Sequence, residues 1–179
     1  SLNYGGIGVV IGHEITHGFD DQGRKFDKEG NLNNWYQEKD ILVFRKLTDR
    51  LKKQFSNHKV LGIPLNGELT LGENIADLGG VTISLNALKK IINKDKPFDE
   101  STFQIEMKDK LKDFFYNYSR VWRINIRDEE LKRRLQTDPH SPGIWRVNGI
   151  LTDINEFYEV FDIKEGQIYI NEKDRVIIW

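Results

Sequence analysis

One stretch limits what this chain can fold into more than any other: Gly12-His13-Glu14-Ile15-Thr16-His17-Gly18-Phe19-Asp20. It continues an apolar run, Tyr4 to Ile11, that carries Gly5, Gly6 and Gly8. Together they read as a buried helix from about Tyr4 to about Phe19, with Asn3 as candidate N-cap. Glycines are weak helix formers, but they let another element pack close. Residues four apart share a helix face, so His13 and His17 can offer two imidazoles to one metal ion. Two unsatisfied histidines in an apolar helix would cost free energy, which favours a ligand role for both.

Two histidines do not complete a hydrolytic zinc site, which needs a third protein ligand and one open position. A second strong helix, Thr70 to about Asn93, supplies the missing group in Gly72-Glu73-Asn74-Ile75-Ala76-Asp77-Leu78-Gly79-Gly80. Thr70 or Gly72 begins it and Pro97 closes it. Glu73 and Asp77 share a face, and Ala76, Gly79 and Gly80 keep that helix slim against the glycine-bearing one. Glu73 is then the third ligand. Asp77 is placed to accept the free ring N–H of His13 and fix its tautomer.

Glu14 follows the first ligand and points along the side of the ion, so it reads as a general base rather than a fourth ligand. Zinc acidifies water, and a carboxylate beside it can take the proton and pass it to a leaving amine. A third cluster runs from His140 to Arg146 across Pro142-Gly143. His140 could donate to an oxyanion and Arg146 could fork onto a substrate carbonyl. From the residues alone, the plainer reading of this pair is a loop histidine and a surface arginine. His58, in Ser-Asn-His-Lys, reads as solvated.

The remaining elements suit a mostly α chain. Residues 20–36 read as a loop with turns at Gln22-Gly23 and Glu29-Gly30. Helical spacing runs from about Gln37 to about Asn57, and Val60 to Leu71 reads as a loop or short hairpin. Ser101 to about Val121 is helical, with Phe103, Met107, Leu111, Phe114, Phe115 and Tyr118 on one side. Arg127 to about Leu135 is a short helix, and Trp145 to Leu151 reads as extended. Asp153 caps a last helix to about Phe161. No repeat or linker divides residues 1–179, so one domain is expected.

Composition narrows the function classes. With 27 basic and 28 acidic residues the net charge is −1, which gives no electrostatic footprint for nucleic acid or an anionic membrane. No apolar run approaches the length of a transmembrane helix. There is no cysteine, which excludes disulfides and thiolate metal ligation but leaves the compartment undecided.

Taken together, the three clusters resemble the catalytic domain of the neprilysin-like zinc metallopeptidases, which include endothelin-converting enzymes and bacterial oligopeptidase O. The stretches that carry the resemblance are Leu2 to Gly8, Gly12 to Asp21, Asn66-Gly67 with Leu71 to Gly80, His140 to Gly143, Arg146 to Gly149, and Trp179. The resemblance implies a mainly α, thermolysin-like (gluzincin) catalytic fragment without the upstream β-sheet. It implies one Zn2+ per chain on His13, His17 and Glu73, with Glu14 as base and Asp77 behind a ligand. It assigns transition-state stabilisation to His140 and a grip on the substrate backbone to Arg146. The implied substrates are short peptides cut on the amino side of hydrophobic residues, the alternative being zinc or peptide binding without catalysis.

Two departures qualify this. The family's asparagine-alanine substrate strand and most of its enclosing lobe are absent, so the chain is expected to be a C-terminal piece, inactive alone and prone to self-association. Where animal members place cysteines, this chain has Arg123, Ile163 and residues such as Val176, which fits a bacterial member.

Overall fold

The computed structural model describes residues 1–94 and 99–179, and Pro97, expected to close the second long helix, lies outside them. A π-helical turn, Tyr4–Gly8, runs into α1 (Val9–Thr16) and ends in a 3-10 turn, His17–Phe19. Then come α2 (Glu38–Ser56), a hairpin of β1 (Lys59–Val60) and β2 (Ile63–Pro64), and α3 (Leu71–Lys94). The chain finishes with α4 (Glu100–Val121), α5 (Asp128–Thr137), α6 (Gly143–Leu151) and α7 (Asn155–Phe161). The architecture is mainly helical, as expected. Among the described residues, strand pairing is confined to the antiparallel β1–β2 hairpin and a Phe26–Leu32 bridge.

α3 is the axis of the fold. Leu71, Ile75, Leu78, Val81, Leu85, Leu88 and Ile92 are all buried, and α1, α2, α4 and α6 pack around them. A helix apolar on nearly all sides belongs at the centre of a bundle. α2 and α4 are amphipathic instead. Phe44, Leu51 and Phe55 line the inner face of α2, and Phe103, Leu111, Phe114, Phe115 and Tyr118 that of α4. Among the described residues no helix is long and apolar enough to cross a membrane.

α1 meets α3 backbone to backbone. A Cβ on Gly80 would lie 2.6 Å from the Val9 carbonyl oxygen and 2.7 Å from the His13 nitrogen. One on Gly12 would lie 2.9 Å from the Gly80 carbonyl oxygen. Helix propensity favours alanine over glycine by about 1 kcal/mol. Here the atoms met are backbone and cannot move aside cheaply, so overpacking dominates. Gly80→Ala is expected to lower stability by about 1–3 kcal/mol and to weaken metal binding through His13. An unchanged urea midpoint would refute the close contact.

The outward face of the first helix is unusual for a surface: Ile7, Ile11 and Ile15 are 60%, 54% and 54% exposed.

Four sequence readings away from the site need correction. Asn3 does not cap the first helix; it is itself helical (φ −62°, ψ −35°) and makes no side-chain cap. Residues 145–151 are not extended. Pro142 turns the chain and its carbonyl accepts from the N–H of Trp145 and Arg146, starting α6. Val147, Ile150 and Leu151 then face the core at helical spacing. His58 is not solvated: its ring stacks on Trp145 at 3.8 Å, and burial lowers its pKa.

Asp153 does not cap α7. Its carboxylate accepts from the Val176 N–H at 2.7 Å and from Gln54 Nε2 at 2.9 Å, tying the C-terminal segment to α2. Burial raises its pKa to about 6, despite those bonds and the nearby Arg50 and Arg175 charges. The folded state therefore takes up a proton at a pH where the unfolded carboxyl, with a pKa near 4, has lost it. The stability Asp153 contributes is complete below about pH 4 and is lost as pH rises through about 6. The stability of the wild type minus that of Asp153→Asn should fall by about 3 kcal/mol between pH 4 and pH 7. A constant difference in urea titrations would contradict this.

Candidate metal centre

The sequence motif closes into a site because α1 and α3 cross at their glycines. His13 and His17 present Nε2 atoms 3.0 Å apart. From α3, Glu73 brings Oε2 to 3.2 Å from His13 Nε2 and Oε1 to 3.6 Å from His17 Nε2. One ligand atom from each residue falls within 4.8 Å of the others.

The hydrogen bonds behind these groups decide what the ring nitrogens can do. His13 Nδ1 donates to Asp77 Oδ1 at 2.8 Å, and His17 Nδ1 donates to Asp20 Oδ2 at 2.7 Å. Ionised carboxylates only accept, so both Nδ1 atoms carry the hydrogen. With both Nδ1 hydrogens committed, the two Nε2 atoms converge 3.0 Å apart, a spacing that calls for a proton or a shared cation between them. Glu73 Oε2 is buried without a hydrogen bond of good geometry, although two imidazoles adjoin it. Burial disfavours a charged His13, yet its bond to Asp77 and the adjoining Glu73 carboxylate outweigh that and lift its pKa to about 9. Burial likewise works against ionised Glu73, but His13, His140 and His17 hold its pKa below the usual carboxylate value. The field is built for positive charge. Two imidazoles, each held from behind by a carboxylate, and the Glu73 carboxylate match the donor set of catalytic zinc sites and the supporting bonds of their histidines.

Asp77 is 1% exposed and does two things at once. Besides His13, it receives the Arg146 fork, Nε to Oδ2 and Nη2 to Oδ1, both at 2.7 Å. Burial disfavours the Asp77 carboxylate, but the His13 and Arg146 bonds hold its pKa low. Arg146 is therefore no surface residue. It is 7% exposed, its guanidinium carbon lies 3.7 Å from the Trp122 ring centre, and its backbone oxygen accepts from Tyr118.

His140 stands opposite, with Nε2 3.1 Å from Glu73 Oε2 and Nδ1 bonded to Asp138 Oδ1 at 2.8 Å. Glu14 is exposed and makes no hydrogen bond or ion pair among the described residues. It shares a cavity of about 120 Å³ with His13, His140, Arg146, Val9, Val10, Val121 and Trp122. All seven site residues read from the sequence thus gather in one place.

Sequence reasoning assigned no role to Asp20, Asp138 or Trp122. Asp20 lies three residues after His17, on the same side of a helical turn, which was a usable signal. Asp20 also accepts the Gln22 and Gly23 N–H groups, so it closes the loop while steadying the ligand. The placing of Trp122 depends on how α4 ends beside α6, and nothing local announces it.

With this geometry in view, the comparisons with known proteins are consistent. Peptidase family M13 matches residues 1–177, and the chain belongs to that family. It is 40% identical to neprilysin-3 of Drosophila melanogaster over 179 residues, all of this chain and 22% of the relative. It is 40% identical to endothelin-converting enzyme 1 of Cavia porcellus, over all of this chain and 23% of the relative. The zinc metalloprotease Zmp1 of Mycobacterium tuberculosis, solved with an inhibitor, superposes with a TM-score of 0.90 and 37% identity. That match covers 99% of this chain and 28% of Zmp1. PepO from Lactobacillus rhamnosis HN001 gives 0.84 at 32% identity, over 98% of this chain and 26% of PepO. The chain thus spans about a quarter of the length of the proteins it matches.

Proposed function

We infer that residues 1–179 are one catalytic unit of a longer zinc-dependent endopeptidase. The observation that carries this reading is the unpaired Glu14 carboxylate opening into the same small cavity as His13, beside three clustered ligand groups. A purely structural zinc site would be closed by a fourth protein ligand.

His13, His17 and Glu73 would hold the ion, with Asp77 and Asp20 fixing the two rings. Zinc bound there supplies a Lewis acid that polarises a peptide carbonyl and acidifies water. Glu14 takes the proton from the attacking water and delivers it to the departing amine. His140, whose Nδ1 hydrogen goes to Asp138, donates from Nε2 to the oxyanion in its imidazolium form. Arg146, held flat by Asp77 and Trp122, offers its remaining N–H groups to a substrate backbone carbonyl. Val9, Val10, Val121 and Trp122 line the cavity next to Glu14 with apolar surface, which suits a hydrophobic side chain just beyond the cut. This favours cleavage on the amino side of hydrophobic residues in short peptides. The exposed Ile7, Ile11 and Ile15 face is where the rest of the longer polypeptide would pack, and its absence would favour self-association of the 179-residue piece.

The test uses the full-length protein. It should bind about one zinc per polypeptide, cut short peptides before leucine or phenylalanine, stop on chelation and resume on zinc addition. Cleavage indifferent to chelation, or a zinc-loaded protein that cuts no peptide, would overturn the reading.

A further inference from the structure

His140 sits on an irregular turn between α5 and α6, and its side chain is 45% exposed. Asp138 orients the ring, but Asp138 belongs to the same turn and moves with it. Something else must register that turn against α3. We propose that Asn74 and Ser141 do so, as positioning residues that set where His140 stands relative to the metal ligands.

Ser141 Oγ lies 2.8 Å from Asn74 Oδ1, and the two residues are 3% and 0% exposed. Each is the neighbour of a site residue: Asn74 follows Glu73 and Ser141 follows His140. The bond therefore ties the two places whose side chains meet at 3.1 Å.

Its direction is fixed by the network behind it. Thr70 Oγ1 donates its one hydrogen to the Asn66 carbonyl oxygen. It must then accept from Asn74 Nδ2, 3.0 Å away. That turns Oδ1 of the amide towards Ser141, which must donate. The run Ser141, Asn74, Thr70, Asn66 has one consistent set of donors, and it ends on the turn that starts α3.

A buried amide and hydroxyl are tolerated only because they satisfy each other. An apolar pair would fill the same space without fixing a register. The polar pair specifies one placement, as buried networks do. The benefit lies in catalysis: a donor must stand within about 2.7–3.1 Å of the position an oxyanion will occupy, and a shift of about 1 Å costs about 100-fold.

The proposal rests on His140 acting as that donor, and the experiment separates the two claims. In the zinc-loaded full-length enzyme, Ser141→Ala should lower kcat about 10–100-fold. KM for the peptide and zinc affinity in chelator competition should stay within about twofold. Affinity for a phosphonamidate peptide, which mimics the tetrahedral state, should fall in parallel with kcat, while affinity for the product amine should not. Ser141→Thr, which keeps the hydroxyl, should recover most of the loss.

If Ser141→Ala folds poorly, Asn74→Val with Ser141→Ala leaves neither partner orphaned and carries the same expectation. In a His140→Ala background, Ser141→Ala should cost nothing further, because the pair acts through the ring. An undiminished kcat in Ser141→Ala, or the same loss with and without His140, overturns the positioning role. A His140→Ala enzyme with full activity would instead remove the reading of His140 itself.

Discussion

Glu14→Gln in the full-length protein is expected to abolish turnover while leaving zinc bound. Glutamine keeps the shape and the exposed position of Glu14 but has no basicity at neutral pH. A positioned general base contributes about 10²–10⁴-fold, so kcat should fall by that factor. Three observations say why nothing else should change. Glu14 is not among the clustered ligand groups, which are His13, His17 and Glu73. It makes no hydrogen bond or ion pair among the described residues, so removing its charge strands no partner. It is exposed, so the fold does not depend on it. Zinc content, thermal midpoint and peptide KM should therefore match the wild type. Unimpaired cleavage of a fluorogenic peptide would remove Glu14 as the base. Loss of zinc along with activity would mean that Glu14 supports the ion rather than the proton transfer.

The centre of the site was legible in the sequence because its chemistry is local. His13 and His17 are four apart on one helix, and Glu73 and Asp77 are four apart on another, so helix geometry alone puts each pair on one face. The glycines that count against the first helix by propensity, and those that keep α3 slim, are what allow the two to meet, since a Cβ on Gly80 would strike the backbone of Val9 and His13. Long amphipathic elements such as α2 and α4 were legible for the same reason. What failed depends on contacts far apart in the chain. Arg146 looked like a surface residue because nothing near it in sequence says that Asp77 and Trp122 will enclose it. α6 looked extended because Ile144, Val147 and Ile150 are β-branched and Gly143 and Gly149 break helices. Tertiary packing overrides that preference: Gly149 lies so close to α2 that a Cβ there would sit 2.8 Å from the Phe55 ring. Asp153 stood where a helix cap belongs, but its partners are on α2 and in the C-terminal segment.

Asp77→Ala should be the most damaging single change to stability, because it strips two buried partners at once. Arg146 would keep its charge in an enclosed site, 7% exposed, with no carboxylate to receive it. Removing one member of a buried ion pair costs about 3–5 kcal/mol, more than the cavity left by a short side chain. His13 would lose the acceptor for its Nδ1 hydrogen, and with it the fixed ring orientation. Loss of such a supporting bond lowers zinc affinity about 10–100-fold. The two effects can be separated by changing both members of the pair. Asp77→Leu with Arg146→Met replaces the ions by apolar side chains of comparable volume, which is often neutral or better for folding. The urea midpoint should then return towards that of the wild type. Zinc affinity should not, because His13 Nδ1 would still have no acceptor. If affinity returned together with stability, His13 would be held by packing alone, and the bond from Asp77 would not tune the metal site.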